Sequence, residues 1–198
     1  MIAVIVPGIR VTDPMRTIGK VRPLLAEHGI KSHVFYYGRV PWFDTRFGNE
    51  KYAEALRSHC LALHDYGQPV VVIAHSNGCA LAHRAAWLMD EHDDDPPGFE
   101  HVVYLSPALD RSVLPAPAIK RCDVFHTRND WAVRASRLLL GHVWGDQGAL
   151  GFCGDDRRVH NVDGTAYVNG HSAWFDVLGL EFLRERLVRP LVDMYGRT

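Results

Sequence analysis

The chain has 198 residues, of which 47% are hydrophobic and 23% charged, and its 22 basic and 23 acidic side chains leave a net charge of −1. A chain of this size buries a core without metal or disulfide staples, and its near-neutral charge gives no general attraction to nucleic acid or to an anionic membrane. No apolar run approaches the roughly 18–20 residues that span a bilayer. These features predict one globular domain over residues 1–198.

Short apolar strands alternate with amphipathic helices along the chain. Strands are predicted where β-branched and aromatic residues cluster without polar alternation, at 2–6, 33–37, 70–74, 102–106 and 122–126. Helices are predicted where apolar residues recur every three or four positions, at 14–28, 50–66, from Gly78 to about Asp90, 131–140 and 174–189. This order predicts a three-layer α/β/α sandwich with a mostly parallel sheet of about five or six strands.

The cysteines and histidines predict neither a disulfide framework nor a metal site. The four cysteines are scattered and form no CxxC pair, so we expect free thiols in a reducing compartment. The twelve histidines form no HExxH motif and no cluster at zinc spacing, and no metal or cofactor is predicted. The N-terminus lacks the basic start and long apolar stretch of a secretory signal, which favours a cytoplasmic location without an integral membrane segment. The oligomeric state stays open.

The junction Ala74-His75-Ser76-Asn77-Gly78 joins the clearest strand to a helix. A serine hydroxyl is a weak nucleophile unless a sharp turn exposes it beside a base, and such a turn needs small residues two positions before and after the serine. Of the seven serines, only Ser76 has this pattern. The alternative is an ordinary strand-to-helix turn in which Ser76 caps the helix.

On this junction the sequence resembles the α/β-hydrolase superfamily, in a small form without a cap domain. The resemblance implies an acid on a loop after a later strand and a histidine near the end of the chain. Asp130 follows the strand at 122–126 and matches the acid position, with Asp110 and Asp163 as rivals. Capping the next helix is the alternative role for Asp130. His171, preceded by Gly170 in a loop before the last helix, matches the position of the general base.

The resemblance also implies an oxyanion hole made of two backbone N–H groups. The first belongs to Asn77 at the start of the helix, and the second to Ile9 after the Pro7-Gly8 turn. A Pro-Gly turn is also common for conformational reasons alone. His75, beside the serine, is interpreted as a structural residue.

These residues predict a serine hydrolase that cleaves a small-molecule carboxylic ester through a Ser76-His171-Asp130 triad and an acyl-enzyme. Hydrolysis of amides, thioesters or lipids and acyl transfer would use the same residues. A non-catalytic binding or regulatory protein that retains the fold is the alternative from another class, and nucleic acid binding is not predicted.

Two segments are candidates to cover the predicted site. One is the aromatic loop at 41–49, and the other is the glycine-rich stretch at 141–162. We interpret the second as an irregular, partly mobile loop beside the site, with a plain surface connection as the alternative.

Overall fold

The computed structural model describes residues 1–9, 11–38, 49–64, 67–92, 97–139 and 145–196. Six parallel strands form one sheet in the order β2-β1-β3-β4-β5-β6. The strands are β1 (Ile2–Val6), β2 (Lys31–Val34), β3 (Val70–His75), β4 (His101–Leu105), β5 (Cys122–His126) and β6 (Val159–Asp163). The predicted parallel sheet of five or six strands is therefore confirmed.

Helices cover both faces of the sheet. They are α1 (Val21–Ala26), α2 (Asn49–His64), α3 (Asn77–His92), α4 (Trp131–Leu139), α5 (Gln147–Leu150), α6 (Val177–Leu183) and α7 (Arg189–Tyr195). Alternate residues of a strand point to opposite faces, so Val4 and Val6 join a core cluster with α2 and α3, while Ala3 and Ile5 join one with α1, α6 and α7. The three predicted layers are present.

The strand order reverses direction between β1 and β3. The chain moves from β1 outward to β2, then returns past β1 to β3 and continues to the other edge. In open parallel sheets, the crevice at the carboxyl ends of the strands beside such a reversal is the usual place for a ligand. The loops that follow β1 and β3, which carry Ile9 and Ser76, meet there.

The second strand lies earlier than the predicted range of 33–37. The backbone N–H of Phe35 still bonds to the carbonyl of Ile5, at 2.9 Å. The next bond of a parallel ladder would come from the N–H of residue 7, and Pro7 has none. The ladder therefore ends, and β2 covers Lys31–Val34.

Two predicted helices are broken into shorter pieces. The range 14–28 holds two 3₁₀ turns and α1, because Thr17 leaves the helical region with φ −125° and ψ −120°. The range 174–189 is interrupted at Asp176, which is extended. A π turn at Arg184–Val188 then precedes α7, where Pro190 lacks the N–H that would bond one turn back.

The stretch 141–170 is more ordered than predicted. It contains α5 and the edge strand β6, whose residues are exposed or half-buried. A Cβ on Gly148 would lie 2.7 Å from the carbonyl carbon of Ser106, so α5 packs directly on the end of β4. The interpretation as an irregular loop is therefore wrong for α5 and β6, whereas residues 151–158 between them form neither helix nor strand. Partial mobility stays a prediction. Residues 141–144 and the aromatic segment 41–48 lie outside the described residues.

Within the described ranges, no helix combines the length and the apolar character that crossing a bilayer requires.

Candidate active site

Ser76 occupies a left-handed turn between β3 and α3. Its φ is 57°, a conformation that costs a non-glycine residue about 1–3 kcal/mol. The backbone holds it there, since the Ser76 N–H donates to the Leu105 carbonyl at 3.0 Å and the Cys79 N–H donates to the Ser76 carbonyl at 3.0 Å. The turn has the conformation that a nucleophile elbow requires.

The small residues around Ser76 are required by close backbone contacts. A Cβ on Gly78 would lie 2.5 Å from the Pro7 carbonyl oxygen, closer than any side chain tolerates. A Cβ on Gly8 would lie 3.1 Å from the Cβ of Ser76. Ala74, two positions before the serine, is fully buried. The start of α3 and the end of β1 therefore pack backbone against backbone.

Asp130 and His171 form a hydrogen-bonded pair. The Nδ1 atom of His171 lies 2.8 Å from Oδ2 of Asp130, and Asp130 is fully buried. Its other oxygen accepts the N–H of Val133 at 3.1 Å, so the same carboxylate also caps α4. Burial alone would raise the pKa of Asp130, but the interactions with His171, the Val133 N–H and Ser106 together outweigh burial and lower it. The carboxylate is thus held ionised against the imidazole.

The two rival acids are engaged in local turns instead. Oδ1 of Asp110 accepts the N–H and the hydroxyl of Ser112, at 2.9 and 2.6 Å. Oδ1 of Asp163 accepts the N–H of Thr165 at 2.8 Å and its hydroxyl. Among the three candidate acids, Asp130 is the one hydrogen-bonded to His171.

A second histidine contacts His171. Nε2 of His75 lies 3.0 Å from the backbone oxygen of His171, and the two ring centroids are 4.8 Å apart. Burial, helped by the charge of His171, lowers the pKa of His75 to about 3. His75 therefore stays neutral and is a poor candidate for the general base. Sequence reasoning gave it no specific contact, because the loop that it touches is 96 residues away.

A buried serine and tryptophan lie behind the carboxylate. The Nε1–H of Trp174 donates to the Ser106 hydroxyl at 2.8 Å, and both residues are fully buried. The Ser106 hydroxyl in turn contributes to the lowered pKa of Asp130. Ser106 also has a left-handed φ of 45°. The sequence carries no signal for this contact beyond the position of Ser106 at the end of a strand.

Asn77 is the first residue of α3, where the helix presents its positive end. The hydroxyl of the buried Tyr37 donates to the Pro7 carbonyl at 2.9 Å. Tyr37 thus holds the turn after β1. Ile9 follows that turn, so both predicted oxyanion residues flank Ser76.

A small cavity connects these residues. It has a volume of about 180 Å³, and its described lining residues are Ile9, Ser76, Ala108, Ala132, Val133 and His171. The serine and the imidazole are its only polar side chains in that lining. A larger cleft of about 650 Å³ near α1 and β2 is lined by none of them. No group of three or more His, Cys, Asp or Glu within the described ranges is arranged to hold a metal ion.

No protein-family model and no curated protein matches the sequence, but solved structures match its fold. A Xanthomonas campestris protein placed in the alpha/beta hydrolase superfamily aligns over 94% of this chain and 97% of its own, with a TM-score of 0.55 and 16% identity. One of two fungal esterases from Rhizomucor miehei aligns over 99% of this chain and 75% of its own, with a TM-score of 0.65 and 14% identity. The Thermogutta terrifontis esterase Est2, solved with propionate bound, aligns over 98% of this chain and 83% of its own, with a TM-score of 0.56 and 16% identity. The chain therefore has the fold of the α/β-hydrolase superfamily.

Proposed function

We propose that this protein is a serine hydrolase that cleaves carboxylic esters through an acyl-enzyme on Ser76. The observation that carries the proposal is the Asp130–His171 hydrogen bond of 2.8 Å, in which His171 lines the same cavity as Ser76. A carboxylate on Nδ1 fixes the imidazole tautomer that leaves Nε2 as a proton acceptor. The esterases that share the fold support the same chemistry.

In the first half-reaction, His171 Nε2 removes the proton of the Ser76 hydroxyl as Oγ attacks the ester carbonyl carbon. The N–H groups of Asn77 and Ile9 donate hydrogen bonds to the carbonyl oxygen and stabilise its developing negative charge. The tetrahedral intermediate collapses, and His171 gives its proton to the leaving alcohol. The products are a free alcohol and an acyl group on Ser76.

In the second half-reaction, water replaces the alcohol. His171 removes a proton from water, whose oxygen attacks the acyl carbon, and the bond to Ser76 Oγ breaks as Oγ recovers a proton from the imidazolium. The carboxylic acid leaves and the enzyme is restored. Throughout, Asp130 stabilises the positive charge that the imidazole acquires.

The cavity favours a short acyl group. Its volume of about 180 Å³ is close to the roughly 150 Å³ of an engineered cavity that holds benzene, so it accommodates about six carbons or fewer. Its walls beside Ser76 are apolar, from Ile9, Ala108 and Val133. We therefore propose esters of short-chain acids as the substrate class.

The test is hydrolysis of p-nitrophenyl esters from acetate to dodecanoate by the wild type and by Ser76→Ala. We expect activity that is highest for acyl chains of about six carbons or fewer and that Ser76→Ala abolishes. Ala108→Leu, which narrows the cavity, should reduce kcat/KM for hexanoate more than for acetate. Equal hydrolysis by wild type and Ser76→Ala would refute the acyl-enzyme on Ser76, and hydrolysis by the wild type no faster than in buffer would refute the proposal and favour a binding protein. A preference for dodecanoate would refute only the short-chain class.

A further inference from the structure

We propose that His75 is a positioning residue that ties the loop bearing His171 to the strand end bearing Ser76. This inference rests on the proposed function, and it assigns to the residue before the nucleophile a role in aligning the base. His75 Nε2 lies 3.0 Å from the backbone oxygen of His171 and forms a hydrogen bond with it. A carbonyl oxygen only accepts, so Nε2 must carry the hydrogen.

The environment of His75 keeps that hydrogen bond in place. The ring is 4% exposed, and Phe175 packs edge-on against it with a centroid distance of 5.0 Å. Because burial keeps the imidazole neutral, its single N–H is committed to the loop. This hydrogen bond from His75 Nε2–H to the His171 backbone oxygen, here called the tether, therefore has a fixed donor.

An imidazole at position 75 leaves one buried ring nitrogen without a hydrogen bond to any described residue, and this destabilising feature supports a role for its Nε2–H donor. Among the described residues, Nδ1 of His75 has no hydrogen-bond partner although it is buried. An apolar ring of similar size would fill the space without leaving a buried polar atom unsatisfied. The Nε2–H bond to the loop is what the imidazole provides and an apolar ring does not.

The loop that carries His171 depends on such a contact. Gly170 has φ 126°, a conformation that side chains disfavour, and the adjacent turn bonds from Ala173 to Gly170 and from Phe175 to Ser172 are long, at 3.3 and 3.2 Å. Asp130 fixes the side chain of His171 at Nδ1, while His75 fixes its backbone oxygen. Two anchors at opposite ends of one residue define the direction in which Nε2 points.

The same tether sets the position of the base relative to the nucleophile. One peptide bond joins His75 to Ser76, and one hydrogen bond joins His75 to His171. General-base catalysis is sensitive to displacements of about 1 Å. Loss of the tether should therefore lower the rate of the chemical step and leave substrate binding nearly unchanged.

A matched pair of variants separates the donor from the ring. His75→Phe keeps a ring and removes the donor, whereas His75→Gln keeps an amide N–H in place of Nε2–H and removes the ring. We expect kcat on a short ester to fall roughly tenfold in His75→Phe, with KM within about twofold, and to fall less than about threefold in His75→Gln. His83→Phe, which removes an imidazole hydrogen-bonded to Trp87 on α3, is the control and should retain kcat.

Hydrogen–deuterium exchange of the segment 168–175 reports the tether without any assay of activity. We expect faster exchange in His75→Phe than in the wild type or in His75→Gln. Unchanged exchange, or faster exchange with unchanged kcat, would overturn the proposal. So would equal losses of kcat in His75→Phe and His75→Gln. If the wild type hydrolyses no ester, the proposed function fails on its own, and unchanged exchange in His75→Phe still overturns the tether.

Discussion

Replacing Asp130 by asparagine reverses the tautomer of His171 and leaves the surrounding fold in place. The asparagine oxygen can still accept the Val133 N–H that Oδ1 accepts at 3.1 Å, and Asn caps helices as well as Asp does. Its amide nitrogen, however, faces His171 Nδ1 at the 2.8 Å position of Oδ2 and can only donate. His171 Nδ1 must then be the acceptor, and Nε2 carries the hydrogen towards Ser76.

An imidazole with its hydrogen on Nε2 cannot accept the serine proton. We expect kcat to fall about 10⁴-fold, the loss that the same replacement causes in a Ser-His-Asp protease, which equals about 5.4 kcal/mol of transition-state stabilisation. The free energy of unfolding should fall by no more than about 3 kcal/mol, because one hydrogen bond to a charged group is lost and the cap remains.

The assay is steady-state hydrolysis of a p-nitrophenyl ester, with urea unfolding monitored in parallel. Asp163→Asn is the matched control, since asparagine can retain the turn bond to the Thr165 N–H, and it should keep kcat within about twofold. If Asp130→Asn kept more than about a tenth of the wild-type kcat while folded, Asp130 would not be the residue that orients the base.

Three further predictions concern stability and are read by urea unfolding. Gly78→Ala places a Cβ 2.5 Å from the Pro7 carbonyl oxygen and should destabilise the fold by more than about 2 kcal/mol; a smaller loss would contradict the close packing of the elbow. Ser76→Gly should be about 1 kcal/mol more stable than Ser76→Ala, because both lack the hydroxyl and only alanine retains strain at φ 57°; equal stabilities would show that the turn is unstrained. The pKa of Asp130 is lowered in the folded state, so its stabilising contribution is complete above its unfolded pKa of about 3.9 and is lost as the pH falls through the folded value. The stability gap between wild type and Asp130→Asn should therefore narrow below about pH 4, and a constant gap would contradict that pKa shift.

The sequence predicts the parallel sheet because its central strands are continuous apolar runs. The five residues of β1 and the six of β3 are all buried, as such runs require. The edge strand β6 escaped prediction because its sequence, Val-His-Asn-Val-Asp, is mostly polar and its residues are half-buried or exposed. A strand at the edge of a sheet is defined by pairing with its neighbour, and pairing leaves no periodic signal in five residues.

In the candidate site too, the features set by neighbouring residues could be predicted from the sequence, and the contacts between distant residues could not. The turn at Ser76 can be predicted from the sequence because close backbone packing requires small residues at Ala74 and Gly78, and both lie within two positions of Ser76. The contact between His75 and the loop of His171 joins residues 96 positions apart. It uses a backbone oxygen, which every residue has, so no residue type in the sequence indicates it. The Trp174–Ser106 hydrogen bond could not be predicted from the sequence either, since it depends on how the fold brings two distant buried side chains together.

The proposed chemistry depends most on an activated nucleophile at Ser76. The most direct measurement is the intact mass of the folded protein after reaction with a fluorophosphonate, for the wild type and for Ser76→Ala, with peptide mapping of the adduct. We predict a single adduct, located on Ser76 and missing from the variant. A folded wild type that gains no adduct, or an adduct that persists in Ser76→Ala, would contradict the account.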